Sequence, residues 1–467
     1  MIKMADLYFT HRLSWKKYFL YFLYVFALNF FFFFLIGEKG SLWGKDTIHY
    51  ILWSNLPIKG GYVIYPWFLK GLRFIHGEKL YFEYAYIYQS ILSIAVDILL
   101  IEYIRTKYRM GHLAGMVMHI LILATYSYTL PGAVSSHYLL TEGITIPIFL
   151  LSMYFYLRYL NGESYIYLLT SCVVCIVLYF TRQQLIVILL VYLGIAAMNE
   201  ILERIGPKHS LRIYLLSLCI ILVMAVACIY GYFRYVSGWE YSEENNQLIE
   251  ATTGKALCLM TEEDSMLYTG QDREIYNELY QDCKTNGRLL ENFPHSIMDY
   301  EEIHKIINEN ITEHETIIWE YFYRLQSDNG GLDAYAVRNR ITATETSNHR
   351  AEYLGLILRL MPSSLVASIF VQPSKWRLLC YIFSILMYLV TVIIIIYSIK
   401  QRQIKAYYLP EVIVLSIIFC NSIFCNILLY GQQRYVIYCM GLFYVFNIIM
   451  INGLRKDKYE IQDDRKH

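Results

Sequence analysis

The residue whose type and place best suit acid–base chemistry is Asp46, in the stretch Gly44-Lys45-Asp46-Thr47-Ile48-His49-Tyr50. It follows the first long apolar run, Tyr18 to Ile36, so its carboxylate belongs to a loop just outside a membrane-spanning segment. There a carboxylate can take a proton from a hydroxyl or amine arriving through water, beside a donor held in lipid. Its bland alternative is a helix cap ahead of Thr47. His49, one helical turn further on, either tunes that carboxylate, hydrogen-bonds a hydroxyl-rich ligand, or does neither. Glu83, in Tyr81-Phe82-Glu83-Tyr84, is a second carboxylate at the start of the second span. It either shares the work of Asp46 or sits in an interfacial aromatic belt.

Glu142 is flanked by apolar sequence after Leu139-Leu140-Thr141. An ionised group at membrane depth costs about 2.5–3.5 kcal/mol, so Glu142 needs a partner such as Arg182 or a ligand group. Arg182, in Thr181-Arg182-Gln183-Gln184, and Arg434, with Tyr435 beside it, lie at span ends on the same side. A guanidinium there can hold two phosphate oxygens at once, or snorkel to lipid headgroups.

The elements that must position these groups are membrane helices. With 57% apolar residues, 16% aromatic and 17% charged, the chain is too apolar for a set of soluble domains. Further apolar runs at 84–104, 112–130, 139–157, 164–180, 183–199, 211–233, 376–399, 407–429 and 435–453 bring the expected spans to ten. Most are near the ~20 residues that a bilayer requires. The basic residues of the N-terminal leader, Arg105 to Arg109, Arg204 to Arg212, Lys400 to Lys405 and the tail fall on one side. The positive-inside rule makes that side cytoplasmic, with both termini. Asp46, Glu83, Glu142, Arg182 and Arg434 then share the extracytoplasmic face. Since the first run lacks a small-residue cleavage site, it is expected to stay as a span.

The expected architecture is an all-α membrane protein in three parts. Residues 1–235 form a catalytic transmembrane module with a long outer loop at 37–83, residues 236–355 a small, mostly helical cap, and residues 356–467 a second transmembrane module and tail. Within the cap, 299–324 reads as a helix; 354–370 then reads as a surface-lying or partly inserted helix, ended near Pro362 and again by Pro373. Cys258 and Cys283 are the cysteines in polar sequence, where one disulfide is feasible, whereas Cys172 and Cys175 read as small buried hydrophobes. A net charge of +1 gives no reason to invoke nucleic acid.

Taken together, Asp46 in a long first outer loop, Tyr65-Pro66-Trp67-Phe68-Leu69, Leu139 to Glu142, Thr181-Arg182 and Arg434-Tyr435 resemble the GT-C glycosyltransferases. Among these the chain is most similar to bacterial relatives of protein O-mannosyltransferases and aminoarabinose transferases. The resemblance covers 18–235, and 376–453 only through topology and Arg434-Tyr435. It departs from the family at Thr181-Arg182-Gln183, where Thr-Arg-Pro or Thr-Lys-Gly is usual. It implies inverting transfer of a hexosyl or pentosyl group from a polyprenyl phosphate to a glycan, lipid or protein acceptor on the extracytoplasmic face of the cytoplasmic membrane. Asp46 would match the catalytic carboxylate, Glu83 the acidic residue near the second span, and Arg182 the basic residue near the donor phosphate. No cofactor is expected and no metal is required, although an Asp46–Glu83 pair could bind a divalent ion. The rivals are a polysaccharide polymerase or ligase using a lipid pyrophosphate, which needs no first-loop carboxylate, and a transporter, which would show paired halves with mid-span charge.

Overall fold

A backbone that leaves water must satisfy its own N–H and C=O groups, and an α-helix does this within one segment. The computed structural model describes residues 15–35, 42, 47, 50–51, 64–129, 133–203, 224, 247–293, 321–322, 325–326, 333–365, 377–401, 405–428 and 436–464. The apolar runs form α1 (Trp15–Phe30, continued by a wide turn, Phe31–Leu35), α3 (Tyr81–Lys107), α4 (His112–Thr125), α5 (Glu142–Leu160), α6 (Tyr165–Thr181) and α7 (Ile186–Glu203). An amphipathic helix, α2 (Ile64–His76), precedes α3. Among the described residues the only paired strands are a short antiparallel pair, Ser127–Thr129 with Ala133–Val134.

Between α7 and the last three helices lie α8 (Gln247–Leu257), α9 (Gly270–Thr285), α10 (Ala334–Asn348) and α11 (Arg350–Ser364). The chain then forms α12 (Arg377–Lys400), α13 (Lys405–Leu428) and α14 (Ile437–Asp464). Among the described residues, six segments, in α1, α3, α5, α12, α13 and α14, are long and apolar enough to cross a membrane. One apolar core joins α3 to α7 with α13 and α14, so the early and late helices form one bundle. Phe19, Leu20 and Phe22 of α1 and Ile382, Ile385 and Leu386 of α12 are exposed, an apolar surface suited to lipid.

The run expected to span 112–130 ends as a helix at Thr125, where the chain turns into the antiparallel pair. At ~1.5 Å per residue its 14 residues fall short of a ~30 Å hydrocarbon layer. The run expected from 139 begins at Glu142, because Ser135–His137 forms a 3-10 turn ahead of it. The span expected at 211–233 lies outside the described residues except for Met224, and the helix expected at 299–324 does so except for Tyr321 and Phe322.

Charges inside the bundle are partnered. Asp97 accepts from the Tyr126 hydroxyl at 3.0 Å. Glu102 is held by Arg105 at 2.8 Å and by the Tyr21 hydroxyl at 2.5 Å, tying α1 to α3. Arg105, Lys107, Arg158, Lys400 and Lys405 gather at the helix ends opposite Glu142 and Arg182.

α8 to α11 form a cap with an apolar core of its own, including Leu257, Tyr276, Phe293, Phe322, Val337, Leu356 and Leu360. The boundary drawn at 355 therefore falls inside α11. That helix is not surface-lying: it starts at Arg350, carries Pro362 in its last turn, and buries Ser364 against Ser422 and Asn426 of α13. Cys258 and Cys283 are free buried thiols of the cap core, so the feasible disulfide is not formed. The cap is fastened to the bundle by Lys255, fully buried on α8. Its Nζ donates to the carbonyls of Asn426 and Ile427, both at 2.8 Å, and lies 5.7 Å from the centre of the Tyr353 ring. These carbonyls are among the last of α13, which have no intrahelical donor, and the negative end of the helix dipole attracts the amine. Burial pulls the Lys255 ammonium down to about 7.

Lys255→Met keeps the aliphatic stem and removes one donor from each of the Asn426 and Ile427 carbonyls, leaving the Tyr353 hydroxyl at 3.4 Å on Ile427. It is expected to weaken cap docking by about 1–3 kcal/mol, read as faster amide exchange across 247–293 with the bundle helices unchanged.

Candidate functional site

The site is built on 135–141, the irregular link into α5. A buried non-helical backbone needs outside partners, and this one has them from several directions. Leu42 donates its N–H to the His137 carbonyl (2.8 Å) and accepts from the Leu139 N–H (3.0 Å). The Thr47 hydroxyl donates to the Leu139 carbonyl at 3.1 Å. From α3, Gln89 Nε2 donates to the Ser136 carbonyl at 3.0 Å, and Ser90 and Ser136 share a 3.1 Å hydrogen bond. His137 meets the Phe33 carbonyl at 2.6 Å, joining the link to the end of α1.

Held this way, the link delivers Thr141 and Glu142 to the mouth of the bundle, where Arg182 ends α6. Arg182 Nη2 reaches Glu142 Oε1 at 2.5 Å and Nε donates to Thr141 Oγ1 at 2.8 Å. Both ions are buried, with side chains only 11% and 8% exposed. Below them, the Thr145 hydroxyl donates to the Thr141 carbonyl at 2.7 Å and lies 3.4 Å from the Thr181 hydroxyl. Cys425 of α13 and Tyr438 of α14 lie within the electrostatic reach of Arg182, so the C-terminal helices complete the wall.

α2 closes the near side. Pro66 suits its first turn, where an N–H would have no intrahelical partner. Tyr65, Pro66, Leu69 and Leu72 face inward, while Trp67, Phe74 and Ile75 remain exposed, as in a helix lying along an interface. The Tyr65 hydroxyl, close to Gln89, Tyr50 and Glu142, is kept protonated by burial, which raises its pKa well above the ordinary range. Among the described residues Tyr65 Oη and Gln89 Oε1 are buried with no other hydrogen-bond partner, and the Gln89 amide lies close enough to act on the Tyr65 hydroxyl. A donor and an acceptor thus stand together beside the ion pair.

Of the residues singled out in the sequence, Glu142 and Arg182 are brought together. Glu83 is exposed on α3. It sits two residues after Tyr81, ~200° around the helix from the buried series Tyr81, Ala85, Gln89. Asp46, His49, Arg434 and Tyr435 lie outside the described residues, although Thr47, next to Asp46, is buried on the link. Sequence reasoning missed Gln89, Tyr65 and Thr141. The available signal was Gln89-Ser90 followed by Ser93, polar residues crowded on one face of an apolar span.

No protein-family model, curated protein or solved structure matches this chain. Function is therefore argued from the residues themselves.

Glu142→Gln or Arg182→Gln alone leaves one buried ion unbalanced and is expected to cost about 3–5 kcal/mol. The double Gln variant should recover much of that loss, measured as thermal unfolding in detergent. Gly143 lies under the Gln89 amide, and a Cβ there would come within 2.1 Å of Gln89 Oε1. Gly143→Ala is expected to destabilise by about 1–3 kcal/mol, checked by the same unfolding assay.

Proposed function

We propose that the protein is a multi-pass membrane glycosyltransferase of GT-C type, moving a sugar from a polyprenyl phosphate to a glycan, lipid or protein acceptor in cell-envelope synthesis or modification. The observation that carries this reading is the buried Arg182, fixed by Glu142 and Thr141 at a bundle mouth that also holds a buried hydroxyl and a buried amide oxygen with no other partner among the described residues. A rigid guanidinium suits a phosphate, and a donor–acceptor pair suits a sugar hydroxyl, which can serve both at once.

Under this proposal the chain crosses the cytoplasmic membrane about ten times, with the basic helix ends and both termini in the cytoplasm. Asp46 is the general base, with Glu83 at the acceptor side. The Leu42 and Thr47 contacts favour this assignment, because they bring the residues flanking Asp46 onto the link that ends at Glu142. The sugar phosphate carries its own leaving group. The protein need only deprotonate the acceptor, align it, and offset charge on the departing phosphate. Since Glu142 already balances Arg182, Arg434 supplies the further positive charge, with His49 and Tyr435 as sugar contacts.

Asp46→Asn is expected to lower transfer from a labelled polyprenyl-phosphate sugar in isolated membranes by about 10²–10⁴-fold, with expression and gel-filtration profile unchanged. Near-normal transfer by that variant would sink the assignment of the base. An absence of transfer by the unaltered protein, across hexosyl and pentosyl donors, would favour the pyrophosphate polymerase or transporter.

A further inference from the structure

Away from the bundle mouth, the cap brings together three side chains that neither its packing nor the transfer reaction explains. Asp264 stands on the 3-10 turn Glu263–Leu267; Glu345 and His349 lie one helical turn apart at the end of α10. The three potential ligand atoms all lie within 4.8 Å of one another. His349 Nε2 is 2.8 Å from Asp264 Oδ2 and 3.8 Å from Glu345 Oε2.

Glu345 is the telling member. Its side chain is completely buried, and Oε1 accepts the Tyr268 hydroxyl at 2.7 Å. Oε2, directed toward His349 but beyond hydrogen-bond reach, has no hydrogen-bond partner among the described residues. A carboxylate oxygen enclosed without a donor costs free energy, and two carboxylates meeting at one imidazole are short of positive charge.

We propose that Asp264, Glu345 and His349 bind a divalent transition-metal ion of the zinc class that holds the cap together. Ligand bonds of about 2.0–2.2 Å place donor atoms roughly 3–3.6 Å apart, so modest side-chain shifts from the present spacings seat the ion. Two carboxylates and an imidazole suit zinc or manganese; there is no thiolate to select copper(I), and three donors fall short of the 6–8 oxygens of calcium. The carboxylates are oriented from behind, Glu345 by Tyr268 and Asp264 by the Thr261 hydroxyl at 2.5 Å. Such second-layer hydrogen bonds are usual at metal sites. Asp264 and His349 remain partly exposed, which gives the ion a way in and leaves room for a water ligand.

The consequence is structural and independent of the transfer reaction. The ion ties the 3-10 turn to α10, and α10 is tied to α8 through the 2.8 Å hydrogen bond between Thr342 and Thr253. α8 is the helix that carries Lys255 to the end of α13. Metal binding therefore braces the element that docks the cap.

The test uses the full-length protein in detergent, stripped with a chelator and dialysed separately against zinc, manganese and calcium chloride, with bound metal measured by mass spectrometry. The expected result is one equivalent of zinc or manganese per chain, a raised unfolding temperature, and little calcium. His349→Gln and Asp264→Asn should each lose that equivalent while keeping the gel-filtration profile, and Tyr268→Phe should weaken binding about 10–100-fold. Absence of a saturable equivalent in the unaltered protein overturns the proposal. Retention of the full equivalent in either ligand variant also overturns it, as does a site that prefers calcium.

Discussion

The ion pair between Glu142 and Arg182 is the constraint on which the mouth of the bundle depends. Neither ion could be buried alone, and their mutual attraction offsets desolvation only if the remaining hydrogen-bonding capacity is also met. Thr141 supplies part of that capacity by accepting from Arg182 Nε. The consequence for the backbone is strict: α5 must begin and α6 must end at the same depth, side by side. α13 and α14 complete the wall, so residues separated by more than 250 positions in the chain share one electrostatic environment.

The link before α5 explains how that geometry is reached. A fully helical connection would carry no spare carbonyls, whereas residues 135–140 offer several: the first loop answers those of His137 and Leu139, Gln89 of α3 answers that of Ser136, and the His137 ring in turn meets the Phe33 carbonyl. The first loop, α1 and α3 are thereby registered against Glu142 by hydrogen bonds, not by apolar packing alone. Apolar surfaces can slide past one another with little change in buried area. Hydrogen bonds at about 2.9 Å cannot, so they fix the register of this corner.

Much of the fold was legible because membrane helices declare themselves by length and hydropathy. Runs such as 376–399 and 435–453 correspond to α12 and the apolar part of α14. The ends were less legible. Hydropathy continues through Tyr126 and Leu139, while the helix stops at Thr125 and restarts at Glu142 under the pull of tertiary hydrogen bonds. Glu142 and Arg182 could be found because charge in apolar sequence is costly and calls for a partner. Tyr65 could not, since a tyrosine among 46 carries no such cost signal, and Gln89 was marked only by the weaker crowding of Ser90 and Ser93 on its face of an apolar span. Lys255 was equally hidden: in a polar stretch it reads as a solvated lysine, and its burial follows from the docking of a distant helix. Of the proposed metal ligands, Glu345 and His349 share the i,i+4 spacing of one helix face, but Asp264 lies 85 positions before His349 and nothing in the sequence joins it to them.

The lysine that completes α13 has a bearing on biogenesis. It precedes its acceptor carbonyls by 171 and 172 positions, so the ribosome makes the donor long before the helix that needs it. The late hairpin of α12 and α13 can enter the bilayer by hydropathy alone, but its end stays unfinished until the earlier-made cap swings onto it. Correct assembly is thereby recorded at one end of α13, where Lys255 and Ser364 both meet it.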